Sequence, residues 1–267
     1  MPSFVSRSGL ALAHAVVSGQ ENSIPRLFLN GSGSSIDDIE PLLPRFAGPA
    51  TLATLDHRGL GRSALATTSP TMADFAADAL DLADHLRWPV FDLIGVSFGG
   101  MVALELACTE PARVRRMGVL CSSAGGAGGA SYPLHELIDL SPEERRRVLP
   151  VLQDSRFDEE WLASHDGLVE RMVQAPSRTP NTVGYRMQME ARRHHDVWSR
   201  LPNVTSPTLV ASGRFDLIAP PENGRRLAER IPLATYAEYE GGHMFFLQDR
   251  RAFSDLESFL SDGEVTR

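Results

Sequence analysis

The sequence predicts an α/β fold, namely a mostly parallel eight-stranded sheet with helices on both faces and a helical lid insertion. Short apolar segments alternate with amphipathic helical segments over most of the 267 residues, as in sheets that are covered by helices. Residues 122–203 break this rhythm with helical patterns whose apolar faces are narrow. An apolar content of 42% suffices for a sizeable core and argues against disorder.

The eight strands are predicted at short apolar runs. They are residues 4–5, 10–17, 26–29, 50–55, 90–94, 117–121, 208–212 and 235–240. Helices are predicted where apolar residues recur with helical spacing. These are residues 37–43, 72–86, 101–107, 221–231 and 250–260.

The insertion, residues 122–203, is predicted to be helical. Its first clear helix begins at Ser141-Pro142-Glu143-Glu144, because Ser141 can cap the helix and Glu144 completes a capping box. Further helices are predicted at residues 159–163, 167–174 and 185–194. We therefore predict a core formed by residues 1–121 and 204–267, with residues 122–203 as a lid that covers one end of the sheet, an arrangement that forms substrate pockets.

Composition restricts the partners and cofactors. The net charge is −8, and without a basic block no nucleic-acid partner is expected. No apolar run is long enough for a membrane span, and residues 10–17 suit a strand better than a signal peptide, so a cytoplasmic location is expected. No lysine occurs in the sequence, which excludes Schiff-base chemistry and a phosphate-loop lysine.

The two cysteines, Cys108 and Cys121, lack metal-ligand spacing and are predicted to be buried thiols. The adjacent His194 and His195 are predicted to lie on a solvated helix face rather than to bind a metal. No cofactor and no metal are expected. A homo-oligomer is compatible with the sequence, which does not fix the number of subunits.

The motif Gly95-x-Ser97-x-Gly99 joins a predicted buried strand to a predicted helix. A serine between two glycines in this context can occupy a very tight turn, which holds its hydroxyl above the end of the sheet. Because a serine hydroxyl is a poor nucleophile at neutral pH, it requires a base and a carboxylate that orients the base.

Candidates for the base and the carboxylate follow late strands. In an open α/β sheet the active site lies at the carboxyl ends of the strands. Asp216 follows the strand at 208–212 and His243 follows the strand at 235–240. After the strand that ends at Cys121 the chain reads Ser-Ser-Ala, so no acidic residue competes there.

These motifs resemble those of the α/β-hydrolase superfamily, and the resemblance covers nearly the whole chain except the insertion. It implies Ser97 as nucleophile, His243 as base and acid, and Asp216 as the orienting carboxylate. Four features match in chain order: Gly31-Ser32-Gly33, Asp56-x-Arg58-Gly59-x-Gly61-x-Ser63, Gly95-x-Ser97-x-Gly99, and Gly213-x-x-Asp216 with Gly242-His243.

The resemblance also places the oxyanion hole. It assigns the backbone N–H groups of Ser32 and Phe98, with Gly33 as a substitute for Ser32. Asn30 departs from the pattern, since many members have histidine before the first glycine of this loop. Because the donors are backbone groups, the departure concerns loop geometry and not the chemistry.

A serine nucleophile argues against the haloalkane-dehalogenase and epoxide-hydrolase branches, which use an aspartate. We predict a serine hydrolase that cleaves a small, mainly apolar carboxylic ester or lactone. A C–C bond hydrolase, a thioesterase or a cofactor-free perhydrolase with the same triad stays open, as does a non-catalytic ligand-binding receptor. A nucleotide-dependent oxidoreductase is not expected, because Ile36 stands where a dinucleotide loop needs a third glycine.

The substrate pocket is predicted to be apolar. Gly33, Met244 and Phe245 are predicted to contact the substrate, together with the Phe98 side chain beside the nucleophile. None of these carries a charge. The arginines of the insertion, at positions 145–147 and 192–193, would favour an acidic substrate if one of them turned inward.

Overall fold

A computed structural model describes residues 1–164 and 183–261. Its sheet has eight strands in the order β1-β2-β4-β3-β5-β6-β7-β8. The strand pairs β1–β2 and β2–β4 are antiparallel, and the other five pairs are parallel. The predicted mostly parallel eight-stranded sheet is confirmed. The strands are β1 (Ser3–Val5), β2 (Ala11–Val17), β3 (Arg26–Leu29), β4 (Leu52–Leu55), β5 (Phe91–Val96), β6 (Val114–Leu120), β7 (Thr208–Gly213) and β8 (Ala234–Tyr239).

Helices cover both faces of the sheet. Those in the described residues are α1 (Ile36–Ile39), α2 (Leu43–Ala47), α3 (Met72–His85), α4 (Phe98–Thr109), α5 (Pro142–Gln153), α6 (Glu159–Ser164), α7 (Val183–Arg193), α8 (Pro221–Arg230), α9 (Phe245–Gln248) and α10 (Arg251–Leu260). Successive residues of β3 point to opposite faces. Leu27 joins an apolar cluster with α3 and α4, whereas Phe28 joins a second cluster with α2 and α10.

Two of the differences from the predicted bounds have a clear physical cause. The helix predicted at 37–43 is divided into α1, a 3-10 turn at Glu40–Leu42, and α2, because Pro41 and Pro44 lack the N–H that a continuous helix needs. Strand β6 begins at Val114, although two arginines follow that residue. One of them, Arg115, forms an ion pair of 2.7 Å with Asp92 of the neighbouring strand β5, so the polar residues are accommodated within the sheet.

The insertion contains α5, α6 and α7. Its predicted capping box is present, with the Glu144 N–H donating to Ser141 Oγ and the Ser141 N–H donating to the Glu144 carboxylate. The helix predicted at 167–174 lies outside the described residues. Buried apolar residues connect the insertion to the loop after β7, and they are Leu134, Ile138, Leu152, Met189 and Ile218. No helix in the part of the chain that the structure describes is long and apolar enough to cross a membrane.

The loop after β3 is held by Asp56, which follows β4. One carboxylate oxygen of Asp56 accepts the Ile36 N–H at 2.6 Å, and the other accepts the Arg62 N–H at 2.8 Å. Arg58 in turn binds Asp78 of α3 at 2.6 Å. Asp56 thus braces the loop that carries Ser32, and Arg58 ties the loop after β4 to α3.

Candidate active site

Ser97 occupies a sharp turn between the end of β5 and the start of α4. Its φ angle is +55°, a backbone conformation that residues other than glycine rarely adopt and that stores strain. The turn tolerates no side chain at its flanking glycines. A Cβ at Gly99 would overlap the Leu29 carbonyl group of β3, and a Cβ at Gly95 would overlap the backbone of Gly99 itself.

The structure brings the three predicted catalytic residues together. His243 Nε2 lies 3.0 Å from Ser97 Oγ, and His243 Nδ1 lies 2.7 Å from Asp216 Oδ2. All three side chains are buried. This arrangement allows the imidazole to accept a proton from the hydroxyl while the carboxylate fixes the ring tautomer and orientation.

Asp216 is held in one orientation by the backbone that follows it. Its Oδ1 accepts the N–H groups of Ile218 at 2.8 Å and Ala219 at 2.9 Å. The second oxygen, Oδ2, therefore faces His243. Because Oδ1 is occupied by two donors, rotation of the carboxylate would leave buried N–H groups unpaired.

The His243 loop is held by the carboxyl end of α5 in the insertion. The His243 N–H donates to the Gln153 carbonyl oxygen at 2.6 Å. The Gly242 N–H donates to Gln248 Oε1 at 2.8 Å, and Gln248 Nε2 donates to Asp154 Oδ2 at 2.9 Å. Sequence reasoning missed these residues, because nothing in the spacing of residues 153–154 links them to a histidine so far along the chain.

The same segment also holds the Asp216 loop. The Leu217 N–H donates to the Leu152 carbonyl oxygen at 3.1 Å, and the Ser155 N–H donates to the Phe215 carbonyl oxygen at 2.9 Å. Residues 152–155 thus hydrogen-bond to the loops of both the carboxylate and the imidazole.

The predicted oxyanion donors lie at the same edge of the sheet. A Cβ at Gly31 would lie 3.7 Å from Ser97 Cβ, so the loop that carries Ser32 packs beside the nucleophile turn. Phe98 is the first residue of α4, where a backbone N–H has no acceptor within the helix. The partial positive charge of the helix amino end adds to the attraction for an anion at this position.

Gly33 does not fit the substitute role predicted for it. Its N–H donates to Gln188 Oε1 of α7 at 2.8 Å, so in this structure the N–H points to Gln188 and not to an oxyanion. Gln188 is fully buried and links the insertion to the oxyanion loop. This contact could not be predicted from the sequence, because Gln188 lies in a helix with few apolar residues.

Two predicted pocket side chains lie in the core instead. The Phe98 ring packs edge to face against Phe75 at 5.1 Å, and Phe245 stacks on Tyr239 at 5.1 Å. Both phenylalanines are fully buried. Their side chains point into the two apolar clusters, Phe98 into the first and Phe245 into the second. Met244 is half-buried and packs at the margin of the second cluster.

One arginine of the insertion is buried, whereas the prediction of an apolar substrate pocket stays a prediction. Arg192 of α7 turns inward and is buried, and its Nη2 donates to Ser131 Oγ at 2.8 Å. Burial lowers the pKa of the Arg192 guanidinium to about 10, so the group is still protonated at neutral pH.

His194 and His195 point in different directions. His194 is exposed and lies 2.9 Å from Glu190. His195, predicted to be solvated, is buried, and its Nε2 lies 3.1 Å from the Ser123 carbonyl oxygen. Burial lowers the pKa of His195 to about 4. Within residues 1–164 and 183–261, no group of three or more His, Cys, Asp and Glu side chains could hold a metal ion.

A shallow surface groove lies elsewhere on the molecule. It is lined by residues 19–25, Thr51 and residues 88–90. These residues precede β3, β4 and β5, so the groove lies at the amino ends of the strands. The triad lies at the opposite edge of the sheet, and the groove takes no part in it.

Comparison with known proteins agrees with this fold. A family model described as alpha/beta hydrolase fold matches residues 27–250. The curated protein named "Putative carbamate hydrolase RutD" from Variovorax paradoxus is 29% identical over 93% of this chain and 96% of its own length. The 3-oxoadipate enol-lactonase 1 of Acinetobacter baylyi is 24% identical over 95% and 94%. The crystal structure of the enol-lactonase from Burkholderia xenovorans superposes with a TM-score of 0.82 at 22% identity, over 97% of this chain and 100% of that one.

Proposed function

Because the chain belongs to the alpha/beta hydrolase fold family and is a hydrolase, we propose that it cleaves a small carboxylic ester or lactone through an acyl-serine intermediate. The observation that carries the proposal is the hydrogen-bonded series from Ser97 Oγ to His243 Nε2 and from His243 Nδ1 to Asp216 Oδ2, at 3.0 and 2.7 Å. The names of the relatives, which include lactonases and a carbamate hydrolase, support chemistry at an acyl carbon.

In the acylation step, Ser97 Oγ attacks the carbonyl carbon of the substrate while its proton passes to His243 Nε2. The Nδ1–H of His243 donates to Asp216, whose negative charge stabilises the imidazolium that forms. Collapse of the tetrahedral intermediate breaks the bond to the alcohol oxygen, which takes the proton from His243 Nε2. In a lactone, the departing alcohol remains attached to the acyl group.

The negative charge on the former carbonyl oxygen requires hydrogen-bond donors. The N–H groups of Ser32 and Phe98 are proposed to supply them, at the amino end of α4. A water molecule then repeats the attack on the acyl-serine, with His243 again taking and returning a proton. The products are the carboxylic acid, the alcohol and the free Ser97 hydroxyl.

The insertion is proposed to cover the acyl group. Its apolar cluster includes Leu152 and Met189 and continues to Ile218, two residues beyond Asp216. Burial of each substrate methylene against such a wall is worth about 0.8 kcal/mol. This environment supports a small acyl group with an apolar part.

Labelling with a fluorophosphonate probe and turnover of p-nitrophenyl butyrate test the proposal together. Wild type is expected to be labelled at Ser97 and to turn over the ester. The Ser97→Ala variant is expected to lose labelling and roughly 10⁴- to 10⁶-fold in kcat. Ser254→Ala is the matched control, since this exposed serine only caps a local turn of α10.

Two results would contradict the proposal. One is a Ser97→Ala protein, free of contaminating enzyme, that keeps more than a few per cent of the wild-type rate. The other is a folded wild-type protein that neither reacts with the probe nor hydrolyses any ester or lactone, which would favour a ligand receptor on the same fold.

A further inference from the structure

Three arginines are buried among the described residues, and two of them form an ion pair with a carboxylate. Arg26 binds Glu257 at 2.7 Å, and Arg58 binds Asp78 at 2.6 Å. Arg192 has no carboxylate partner in the part of the chain that the structure describes. Because burying a guanidinium is costly unless it is paired, Arg192 requires a different explanation.

The hydrogen bonds of Arg192 are also incomplete. Its Nη2 donates to Ser131 Oγ at 2.8 Å, whereas its Nε is buried and finds no acceptor among the described residues. A guanidinium presents five N–H donors in a fork that suits a carboxylate. A role limited to holding Ser131 would use one of these donors and would not require a charge.

Arg192 is connected to the nucleophile turn through a series of serines. Ser131 Oγ, its partner, is 3.3 Å from Ser123 Oγ. The preceding residue, Ser122, donates its hydroxyl to the Ser97 carbonyl oxygen at 2.8 Å. The guanidinium is thus linked through two serine hydroxyls to the segment that supports the nucleophile.

Gln188 adds a second unpartnered donor on the same face of α7. It precedes Arg192 by four residues, one helical turn, so both side chains project from one face. Its Oε1 accepts the Gly33 N–H of the oxyanion loop, while its buried Nε2 has no acceptor among the described residues. One helix face therefore offers a positive charge and an amide donor, with Gln188 in contact with the loop that carries Ser32 and Arg192 in contact with Ser131.

We propose that this face of α7, with Arg192 and Gln188, binds a carboxylate group of the substrate, so that the ester or lactone cleaved is an acidic one. The proposal rests on the proposed function, because the carboxylate is bound at a fixed place relative to Ser97. Arg192 supplies the charge and the fork of donors, and Gln188 Nε2 supplies one further N–H. The apolar cluster of the insertion contacts the carbon chain between the carboxylate and the reacting carbonyl.

The test compares substrates that differ only in charge. One pair is p-nitrophenyl hydrogen glutarate and its neutral methyl ester, with the carboxylate in the acyl part. The other pair is 4-acetoxybenzoate and its methyl ester, with the carboxylate in the alcohol part. In wild type, kcat/KM for the acid is expected to exceed that for the neutral ester in at least one pair by roughly ten- to one-hundred-fold, the usual range for hydrogen bonds to a charged group.

Variants at position 192 assign that preference to the guanidinium. Arg192→Met is expected to lower the acid-to-neutral ratio by about the same factor, and Arg192→Lys to restore part of it. Arg193→Met is the matched control, since the adjacent side chain is 57% exposed and its substitution is expected to leave the ratio at the wild-type value. Circular dichroism and thermal unfolding check that each variant is folded.

Inhibition by glutarate provides a readout that does not depend on cleavage of an acidic ester. Turnover of p-nitrophenyl butyrate is measured with increasing glutarate, and Arg192→Met is expected to raise the inhibition constant about tenfold or more. The inference is overturned if wild type prefers the neutral ester in both pairs, or if folded Arg192→Met keeps the acid preference and the inhibition constant of wild type. These outcomes leave hydrolysis of neutral esters and labelling of Ser97 intact, so they differ from a failure of the proposed function.

Discussion

Replacing Asp216 by asparagine tests the geometry of the triad with the smallest change in shape. In the wild-type protein, Oδ1 of Asp216 accepts two backbone N–H groups at 2.8 and 2.9 Å, and Oδ2 faces His243 Nδ1. An asparagine side chain can keep its carbonyl oxygen toward the two backbone donors. Its NH₂ group then faces His243 Nδ1, which must become an acceptor and hold no proton.

The imidazole proton is thereby moved to Nε2, the atom 3.0 Å from Ser97 Oγ. In that tautomer His243 cannot accept the hydroxyl proton. The opposite amide orientation would direct NH₂ at two buried N–H groups, and each unpaired donor costs about 1–3 kcal/mol. We therefore expect Asp216→Asn to lower kcat by about 10³- to 10⁴-fold, equivalent to roughly 4–5.5 kcal/mol in the activation free energy.

The assay is steady-state hydrolysis of p-nitrophenyl butyrate, with kcat and KM reported separately and thermal unfolding measured on the same protein. The loss is expected in kcat, with a KM close to that of wild type, because the substitution does not touch the substrate. Glu240→Gln is the matched control, since this exposed carboxylate lies after β8 and pairs with Arg214. Activity of Asp216→Asn within tenfold of wild type, with the control also active, would refute the tautomer argument.

Two further predictions concern positions outside the triad. Asp154→Ala removes the acceptor of Gln248 and loosens the His243 loop. We therefore expect kcat to fall about tenfold with little change in KM, and the unfolding free energy to fall by about 1–3 kcal/mol. An unchanged kcat in a destabilised protein would show that Asp154 acts on stability alone. Burial lowers the pKa of His195 from 6.5 to about 4, so the unfolded chain binds the extra proton between these pH values and stability falls as pH decreases from 6.5 toward 4. Urea denaturation at pH 7 and pH 5 measures how much unfolding free energy each protein loses on acidification. The loss in His195→Gln is expected to be smaller than in wild type, by up to about 1.4 kcal/mol per pH unit. Equal losses in the two proteins would show that His195 is not the source of this pH dependence.

The triad was accessible from sequence for a geometric reason. Parallel strands end at one edge of a sheet, so Ser97, Asp216 and His243 could be located by the strands that each follows. The glycines around Ser97 strengthened the prediction, because few residues fit a turn in which the chain reverses against a neighbouring strand. Such local requirements can be recognised without knowledge of distant contacts.

The direction in which a side chain points was harder to predict from the sequence. Phe98 and Phe245 are adjacent in sequence to the site, yet a backbone N–H and a side chain leave the same residue in different directions. In α7 the inward face contains Gln188 and Arg192, two polar residues that hydrophobic periodicity assigns to solvent. Only the position of α7 over the oxyanion loop explains why these residues are buried, and that position depends on contacts between segments far apart in the chain.

The hydrogen bonds made by residues 152–155 have a consequence for evolution and for protein engineering. Because these residues hold the loops of both Asp216 and His243, a chimera that exchanges all of residues 122–203 for the insertion of another hydrolase would also remove part of the catalytic frame. A graft that keeps residues 122–155 and replaces only residues 156–203 preserves these hydrogen bonds to the Asp216 and His243 loops. Under the proposed role of α7 in substrate binding, substrate preference can diversify through that helix while Ser97, Asp216 and His243 keep their positions.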